Sequence, residues 1–176
     1  WSEFLAANNI SNTSFVVDYG DNPDPGTGAD VLSPIIEGLS LASTTLNPAQ
    51  AGGAFVSATI DFSDDLSGFD YGWINFESES GQSIDLSFRG DQISSGNKLD
   101  GSITASQQLD EFADDGVWQL SDIELQDETG NRIYNSFYNS GWSEFLVANN
   151  ISDTSFVVDY GDNPDPGTGA DILSPI

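Results

Sequence analysis

Short stretches in which apolar and polar residues alternate fill the middle of the chain. Alternation with a period of two is typical of β-strands that bury one face. The clearest stretch is residues 54–62, AFVSATIDF, where Phe55 or Val56 would share one face with Ala58, Ile60 and Phe62. Further strand-like stretches lie at residues 71–77, 83–88, 101–105, 117–125, 132–137 and 154–158. Turn sequences such as DDLSG, ESGQ and DETGN separate these stretches. Several short strands at this spacing predict an antiparallel β-sandwich.

Two stretches have a helical rather than an alternating pattern, so we expect short helical insertions in the sandwich. Residues 107–114 form the first, and residues 142–149 the second. In the second, Ser143 is a plausible N-terminal cap, and Phe145 and Leu146 would point inward. The predicted fold class is therefore all-β, with small helices in its connections.

The two ends of the chain are near-copies of each other. Residues 1–35 and 142–176 are identical at 32 of 35 positions. The differences are Ala6/Val147, Asn12/Asp153 and Val31/Ile172. The repeat period is 141 residues, which is too long for a solenoid unit and has the size of a whole domain. We therefore expect a tandem array of near-identical domains.

This period divides the chain into four parts. We expect residues 1–17 to be the terminal helix and last strand of a preceding repeat, and residues 18–33 to be an Asp/Pro/Gly linker. Residues 34–158 would form the sandwich, and residues 159–176 the next linker and the start of the next repeat. The apolar side chains of residues 1–17 need a partner, so we expect strand complementation between neighbouring copies of the repeat.

The charge balance excludes several classes of function. The chain has 29 Asp and Glu against three Lys and Arg, a net charge of −26. A nucleic-acid-binding protein would carry a basic surface, so nucleic acid is excluded as a partner. The chain has no Cys and no His, which removes zinc sites and most nucleophilic enzymes. No apolar run is long enough for membrane insertion. We expect a protein that is not an enzyme.

The acidic linker is the first candidate for binding chemistry. Asp18, Asp21, Asp24 and Asp30 are spaced at multiples of three, and prolines lie among them. In a polyproline-type chain these carboxylates would share one face, about 9 Å apart for neighbouring acids. One ion cannot bridge that gap, so the linker must curl or bind more than one ion. Ca²⁺ is the expected ion because it takes six to eight oxygen ligands.

Topology predicts where further ligands would come from. In a sandwich of this kind, the start of the first strand lies at the same end as two loops, residues 61–68 and 127–131. We therefore expect an interdomain Ca²⁺ site; the alternative is a solvated acidic linker with Asx turns. The loop ligands would be Asp64, Asp65, Asp127, Glu128 and Asn131. In the second linker, Asp159, Asp162 and Asp165 would form a half-site.

Several motifs recur in a familiar order. They are DDLSG (64–68), ESGQ (79–82), DG (100–101) and DDGVWQLSDIELQDETGN (114–131), followed by a helix and a strand. In this order the chain resembles the Ig-like repeats of large bacterial secreted and cell-surface, adhesin-like proteins. The resemblance implies an Ig-like sandwich in a secreted, cell-surface or extracellular-matrix setting, often with bound Ca²⁺.

Together these observations predict a structural repeat. Its linkers would be rigidified by Ca²⁺, and it would serve as an adhesin stalk or as a building block of a filament or matrix. The alternative is a repeated glycan-binding module, which an exposed aromatic row on one sheet would favour. Trp73 and Trp118 are expected in the core, whereas Tyr71, Tyr134 and Tyr138 could be exposed.

Overall fold

The computed structural model describes residues 29–161, and the regular secondary structure of this part of the chain is β-strand apart from one short helix. The strands are β1 (Ile35–Leu41), β2 (Thr45–Leu46), β3 (Phe55–Ser63), β4 (Phe69–Ser78), β5 (Ser83–Arg89), β6 (Ile93–Gly96), β7 (Asp100–Gln108), β8 (Gly116–Asp127), β9 (Arg132–Ser136) and β10 (Ser155–Val158). A short helix, α1 (Trp142–Ala148), lies between β9 and β10.

The strands form two packed sheets. One has the order β1-β3-β7-β6, and the other has the order β2-β10-β8-β4-β5, with β9 added to β8. These are the A-B-E-D and G-F-C-C′ orders of immunoglobulin-type sandwiches. Neighbouring strands pair antiparallel, except that β10 pairs with β2 in parallel. The predicted all-β sandwich is therefore confirmed.

The core lies between the two sheets and follows the strand alternation. Val56, Ala58, Ile60 and Phe62 of β3 are all buried, as the pattern predicted. They face side chains such as those of β4 and β5 across the sandwich. Each large apolar side chain removed from water stabilises the fold by about 1.5–3 kcal/mol. The large side chains that are fully buried include those of Phe62, Phe69, Phe76, Phe88, Phe156, Ile60, Ile74 and Leu120.

Strand β8 is the longest, and it pairs with two different strands along one edge. Its first half pairs with β10, from Gly116 to Gln119, and its second half pairs with β9, from Asp122 to Gln126. On its other edge the register with β4 shifts between Asn75 and Phe76. This irregularity leaves Ser121 buried and turns the following acidic side chains toward the outer face.

The predicted helix at residues 107–114 is wrong. Residues 107 and 108 complete β7, and the remainder is a loop with hydrogen-bonded turns. The Asp110 carboxylate accepts a bond from Phe112 N at 2.8 Å, which favours a turn over a helix. Tyr160 fixes the same loop from outside, because its hydroxyl donates to the carbonyls of Glu111 and Ala113.

The second predicted helix is confirmed as α1, but its start differs. Gly141 precedes the helix with a φ of 89°, and no side chain caps the first turn. The Ser143 hydroxyl instead donates to Glu144 at 3.0 Å. Phe145 and Leu146 are partly buried and pack on the core.

The two strand tryptophans have different environments. Trp118 is buried, stacks on Phe156 and donates its indole N–H to Asp114 O at 2.9 Å. The expectation that Trp73 also lies in the core is wrong. Gly72 and Ile74 occupy the inner face of β4, so strand alternation places Trp73 on the outer face.

Three strands lack a signal that alternation detects. β1 has two adjacent isoleucines and a glycine, β2 has two residues, and β6 is a mostly exposed edge strand. Within residues 29–161, no helix has the length and apolar character needed to cross a bilayer.

Candidate metal centre

One end of the sandwich carries the loop between β3 and β4, the β8–β9 turn and the chain that leads into β1. Asp64 N donates to Leu99 O at 2.9 Å, which fixes the start of the first loop. Glu128 N donates to Gly68 O at 2.9 Å, which joins this loop to the β8–β9 turn. These backbone bonds hold the acidic loops side by side.

Three carboxylates meet at this end. Asp30, Asp64 and Asp65 each offer an oxygen, and these three oxygens lie within 4.8 Å of one another. Asp30 is held by two backbone donors, Ser67 N at 2.9 Å and Leu32 N at 3.1 Å. The bond from Ser67 ties the chain before β1 to the loop that carries the other two acids.

Asp64 is the most constrained of the three, with only 9% of its surface exposed. Its Oδ1 accepts bonds from Gly68 N at 2.7 Å and Leu66 N at 3.1 Å. Its Oδ2 is buried and has no hydrogen-bond partner among the described residues. An unpartnered buried carboxylate oxygen is costly, because its lost hydration is not replaced. A cation would supply the missing interaction.

A glycine makes the tight loop around Asp64 possible. Gly68 has a φ of +89°, and a Cβ at this position would lie 2.8 Å from Lys98 Cβ. Both the backbone conformation and the close approach therefore require glycine. The short D-x-x-x-G spacing lets the Asp64 carboxylate fold back onto the N–H of Gly68.

The pKa of Asp30 lies below its ordinary value, first because the Ser67 side chain faces its carboxylate. Backbone donation from Ser67 and Leu32 lowers the pKa further, whereas burial and the charge of Asp127 raise it. Ser67 Oγ itself is buried and makes no hydrogen bond of ordinary geometry. The backbone bond from Ser67 is therefore the firmer interaction.

Asp127 and Asn131 lie beside the cluster but are occupied in building the β8–β9 turn. Asp127 Oδ1 accepts from Thr129 N, Thr129 Oγ1 and Asn131 N at 2.8–3.0 Å, and its Oδ2 accepts from Asn131 Nδ2 at 2.7 Å. Burial acts to raise the pKa of Asp127, but these bonds outweigh it and the pKa is lowered. Asn131 Nδ2 also donates to Asp30 O at 3.1 Å, so the turn positions the metal-ligand candidate.

The other predicted ligands are not brought into the cluster. Glu128 forms an ion pair with Lys98. Asp159 follows β10 at the opposite end of the sandwich, where its Oδ1 accepts from Gly161 N at 2.7 Å. The spacing between the ends is roughly 40 Å, from the twelve residues of β8 at about 3.3 Å each. Asp18, Asp21, Asp24, Asp162 and Asp165 lie outside the described residues.

Sequence reasoning missed two contributors at this end. Ser67 donates its backbone N–H to Asp30, and Lys98 forms an ion pair with the Glu128 carboxylate. The DDLSG sequence signals only the local bonds that Asp64 accepts, because an Asp in such a turn often accepts nearby backbone N–H groups. The bond from Ser67 N to Asp30 joins residues 37 positions apart and has no local signal. The position of Lys98 depends on a distant β-turn, and no local pattern indicates it.

A second feature lies on the outer face of the larger sheet, where aromatic and acidic side chains alternate. Trp73 packs against Tyr134 with ring centroids 6.2 Å apart, and Tyr134 is 46% exposed. The Tyr134 hydroxyl donates to Asp122 Oδ1 at 2.9 Å, which together with burial raises the pKa of Tyr134. Tyr138, 72% exposed, donates to Glu77 Oε2 at 2.9 Å.

The comparisons with known proteins support a family assignment but no activity. The family model described as "Domain of unknown function (DUF7035)" matches residues 29–160. This match covers the described sandwich almost from end to end. No curated protein matches the chain.

Proposed function

Because the chain belongs to the DUF7035 family of unknown function, we propose its function from the geometry: a structural repeat that binds Ca²⁺ where the linker enters the sandwich. The observation that carries this proposal is Asp64, whose buried Oδ2 lacks a partner and whose carboxylate lies beside those of Asp30 and Asp65. Asp30 belongs to the chain that precedes β1, whereas Asp64 and Asp65 belong to the sandwich. An ion between them would join the linker to the domain.

The size of the cluster supports Ca²⁺ as the ion. Ca²⁺ binds oxygens at 2.3–2.6 Å, so ligands on opposite sides of the ion lie about 4.6–5.2 Å apart. The three carboxylate oxygens, within 4.8 Å of one another, are close enough to share one such ion. They supply fewer than the six to eight oxygens that Ca²⁺ takes, so water, backbone carbonyls or linker carboxylates would complete the site.

The surroundings of this repeat belong to the same proposal. The 141-residue period and the acidic composition support our proposal of a tandem-repeat protein outside the cell. There it would act as an adhesin stalk or as a filament or matrix building block. A bound ion at each junction would reduce hinge motion in the Pro/Gly linker. Neighbouring copies of the repeat would be the principal partners.

Calorimetric titration of the whole chain with Ca²⁺ tests the site. We expect saturable binding for the wild type and for Asp115→Asn, an equal loss of charge in an exposed loop at the opposite end of β8. Asp64→Asn and Asp65→Asn should weaken binding by tenfold or more. Mg²⁺, which needs shorter bonds and a strict octahedron, should compete poorly. Ca²⁺ uptake that Asp64→Asn leaves unchanged would contradict the proposal.

The aromatic and acidic outer face favours a second candidate function, glycan binding. Planar aromatic rings offer stacking surfaces for sugar rings, and the neighbouring carboxylates offer hydrogen-bond acceptors for hydroxyl groups. The row formed by Trp73, Tyr134 and Tyr138 has this composition. Repetition of such a module would raise its affinity for a polymer by avidity.

Binding to a panel of soluble polysaccharides tests this second function. Tyr134→Ala should reduce binding at least tenfold, whereas Phe112→Ala, which removes an exposed ring elsewhere, should not. Absence of binding by the wild type to every polysaccharide in the panel, or equal binding by the two variants, would contradict it.

A further inference from the structure

The segment formed by α1 and β10 is the last part of the sandwich along the chain, and it fills a groove bordered by β8 and β2. β10 pairs antiparallel with the first half of β8, from Ser155–Gln119 to Val158–Gly116. It also pairs in parallel with β2, and Asp159 N donates to Leu46 O at 2.9 Å. The segment therefore uses backbone bonds on both of its edges.

The same segment supplies a substantial share of the core. Ile151, Phe156, Val158 and Tyr160 are buried. Phe156 stacks on Trp118 and meets Phe76 edge-on, at centroid distances of 5.8 and 5.3 Å. Partly buried residues of α1, namely Trp142, Phe145 and Leu146, pack on the same core.

Residues 1–19 carry the same docking face. Every buried or core-contacting position of residues 142–160 has an identical counterpart there. These counterparts are Trp1, Phe4, Leu5, Asn8, Ile10, Phe15, Val17 and Tyr19.

The two positions that differ between these segments spare the contacts of the groove. Val147, the counterpart of Ala6, is 79% exposed. Asp153 accepts a bond from Leu41 N at 3.1 Å through Oδ2. Its counterpart Asn12 has an amide carbonyl oxygen that can accept the same bond. Both segments therefore satisfy the same groove.

We propose that this groove is an exchangeable docking site, which accepts residues 1–19 of a second copy of the chain in place of its own residues 142–160. The proposal does not rest on the Ca²⁺ site. Exchange would reproduce the same contacts in each domain, so its cost is the loss of free motion on association. The chain's own segment is already tethered, and it therefore occupies the groove unless it is weakened.

The connection to the chain's own segment permits this exchange. Residues 137–141, between β9 and α1, are all exposed, and α1 has no fully buried residue. The segment can thus leave as a unit, and its departure unpairs only β2 and the first half of one edge of β8. Each copy carries a net charge of −26, so association should strengthen with salt, which screens the repulsion.

A matched set of variants of the 176-residue chain tests the proposal. Phe156→Ala truncates a core side chain of residues 142–160. Phe15→Ala makes the same change in residues 1–19 of the same chain, and a third variant carries both changes. Each is examined by light scattering after size exclusion and by thermal unfolding, over a hundredfold range of protein concentration at 0.3 M salt. The wild type and Phe15→Ala should be monomers with equal melting temperatures.

The two remaining variants should then differ. The double variant should be a monomer with a melting temperature lower by roughly 10–15 °C, the usual effect of a Phe→Ala change in a core of this size. Phe156→Ala should form dimers or longer oligomers, and its melting temperature should rise with concentration toward that of the wild type. If Phe156→Ala does not accumulate in soluble form, Val158→Ala and Val17→Ala repeat the comparison with a smaller truncation.

Two outcomes would overturn the proposal. Phe156→Ala and the double variant would be indistinguishable in mass and stability if residues 1–19 do not dock. A monomeric Phe156→Ala that nevertheless melts above the double variant would place residues 1–19 in the groove of their own chain rather than in a second copy.

Discussion

Replacing Asp64 by Asn should change the stability of the domain in opposite directions with and without Ca²⁺. The Asn side chain keeps an oxygen for the bonds from Leu66 N and Gly68 N, but it removes one of three clustered negative charges. It also replaces the unpartnered Oδ2 by an N–H donor in a residue that has two further carboxylates close by. Without a cation, the loss of a negative charge and the loss of the unpartnered Oδ2 both stabilise the variant. Only the bonds from Leu66 N and Gly68 N become weaker, because an amide oxygen is a weaker acceptor than a carboxylate oxygen.

The expected magnitudes follow from the geometry. Two charges 4.8 Å apart repel by about 1 kcal/mol in bulk water and about 3 kcal/mol at an effective dielectric constant of 20. Asp65 is exposed, so the lower figure applies to its pair with Asp64. The loss of two charge-assisted bonds offsets about 1–2 kcal/mol of this gain. In chelator we therefore expect Asp64→Asn to be about 1 kcal/mol more stable than the wild type.

Ca²⁺ should reverse this order. At a free concentration a hundred times its dissociation constant, a ligand stabilises the folded state by about 2.7 kcal/mol. For a domain of this size that raises the melting temperature by about 10 °C. The variant should gain little, so it should become about 2 kcal/mol less stable than the wild type.

Thermal unfolding followed by tryptophan fluorescence, in EDTA and in 10 mM Ca²⁺ at constant ionic strength, measures both differences. Asp115→Asn serves as the charge-matched control and should respond to Ca²⁺ as the wild type does. The reasoning is refuted if Asp64→Asn is the less stable protein in both solutions, since Asp64 would then stabilise the loop without a metal. It is also refuted if the variant keeps the full gain from Ca²⁺.

Three further changes should have distinct effects on unfolding by urea. Asp127→Asn should cost about 2–3 kcal/mol at pH 7, because the carboxylate accepts four bonds in the β8–β9 turn. Since the folded pKa of Asp127 is lowered, its contribution is present above the unfolded value of about 3.9 and is lost as pH falls through the folded pKa. The difference between variant and wild type should thus shrink below pH 4, and a constant difference would contradict this account. Gly72→Ala should cost about 1–3 kcal/mol, because its Cβ would lie 2.5 Å from Leu125 Cδ2 and 2.8 Å from Glu124 O; a neutral effect would mean that β4 and β8 can separate locally. Lys98→Gln should cost less than 1 kcal/mol, because both partners of its pair with Glu128 are largely exposed, and a larger loss would indicate that Lys98 holds the loop in place.

Much of the fold could be predicted because its strands have one buried face. Residues 56–62 alternate strictly, and their inner positions are all in the core. The same rule failed for Trp73, because its hydrophobicity suggested burial while its register placed it outside. The helix predicted at residues 107–114 is wrong for another reason. Its helical composition is overridden by side-chain bonds from Asp110 and by the distant hydroxyl of Tyr160.

The candidate site was only partly accessible to sequence reasoning. The loops that carry Asp64 and Asp127 follow from Ig-like topology, because the strands they connect end at the same edge of the sandwich. Asp64 has a carboxylate oxygen without a partner, whereas both oxygens of Asp127 accept hydrogen bonds. This distinction depends on which donors reach each carboxylate in the folded protein. No spacing rule separates two aspartates that both lie in acidic turns.

The position of the cluster limits what one ion can do for a repeat junction. Tyr160 is the last buried residue that the structure describes, and the repeat places the copy of Asp30 at Asp171 and the copy of β1's first residue at Ile176. By sequence, 15 residues, 161–175, lie between Tyr160 and that copy of β1. An ion at Asp171 would leave ten of them, residues 161–170, between the ion and Tyr160. For a flexible chain this shortens the average span only from roughly 21 to roughly 17 Å.

A stiff rod therefore needs further ions within the linker, and from the sequence we expect Asp159, Asp162 and Asp165 to bind them. Small-angle scattering of a chain with two 141-residue periods tests this requirement. We expect Ca²⁺ to increase its maximum dimension, and we expect changing these three residues to Asn to abolish that increase while calorimetry still detects Ca²⁺ binding at the Asp64 cluster. If the triple variant extends as the wild type does, the linker acids do not stiffen the joint. Rigidity would then have to come from direct contacts between neighbouring domains.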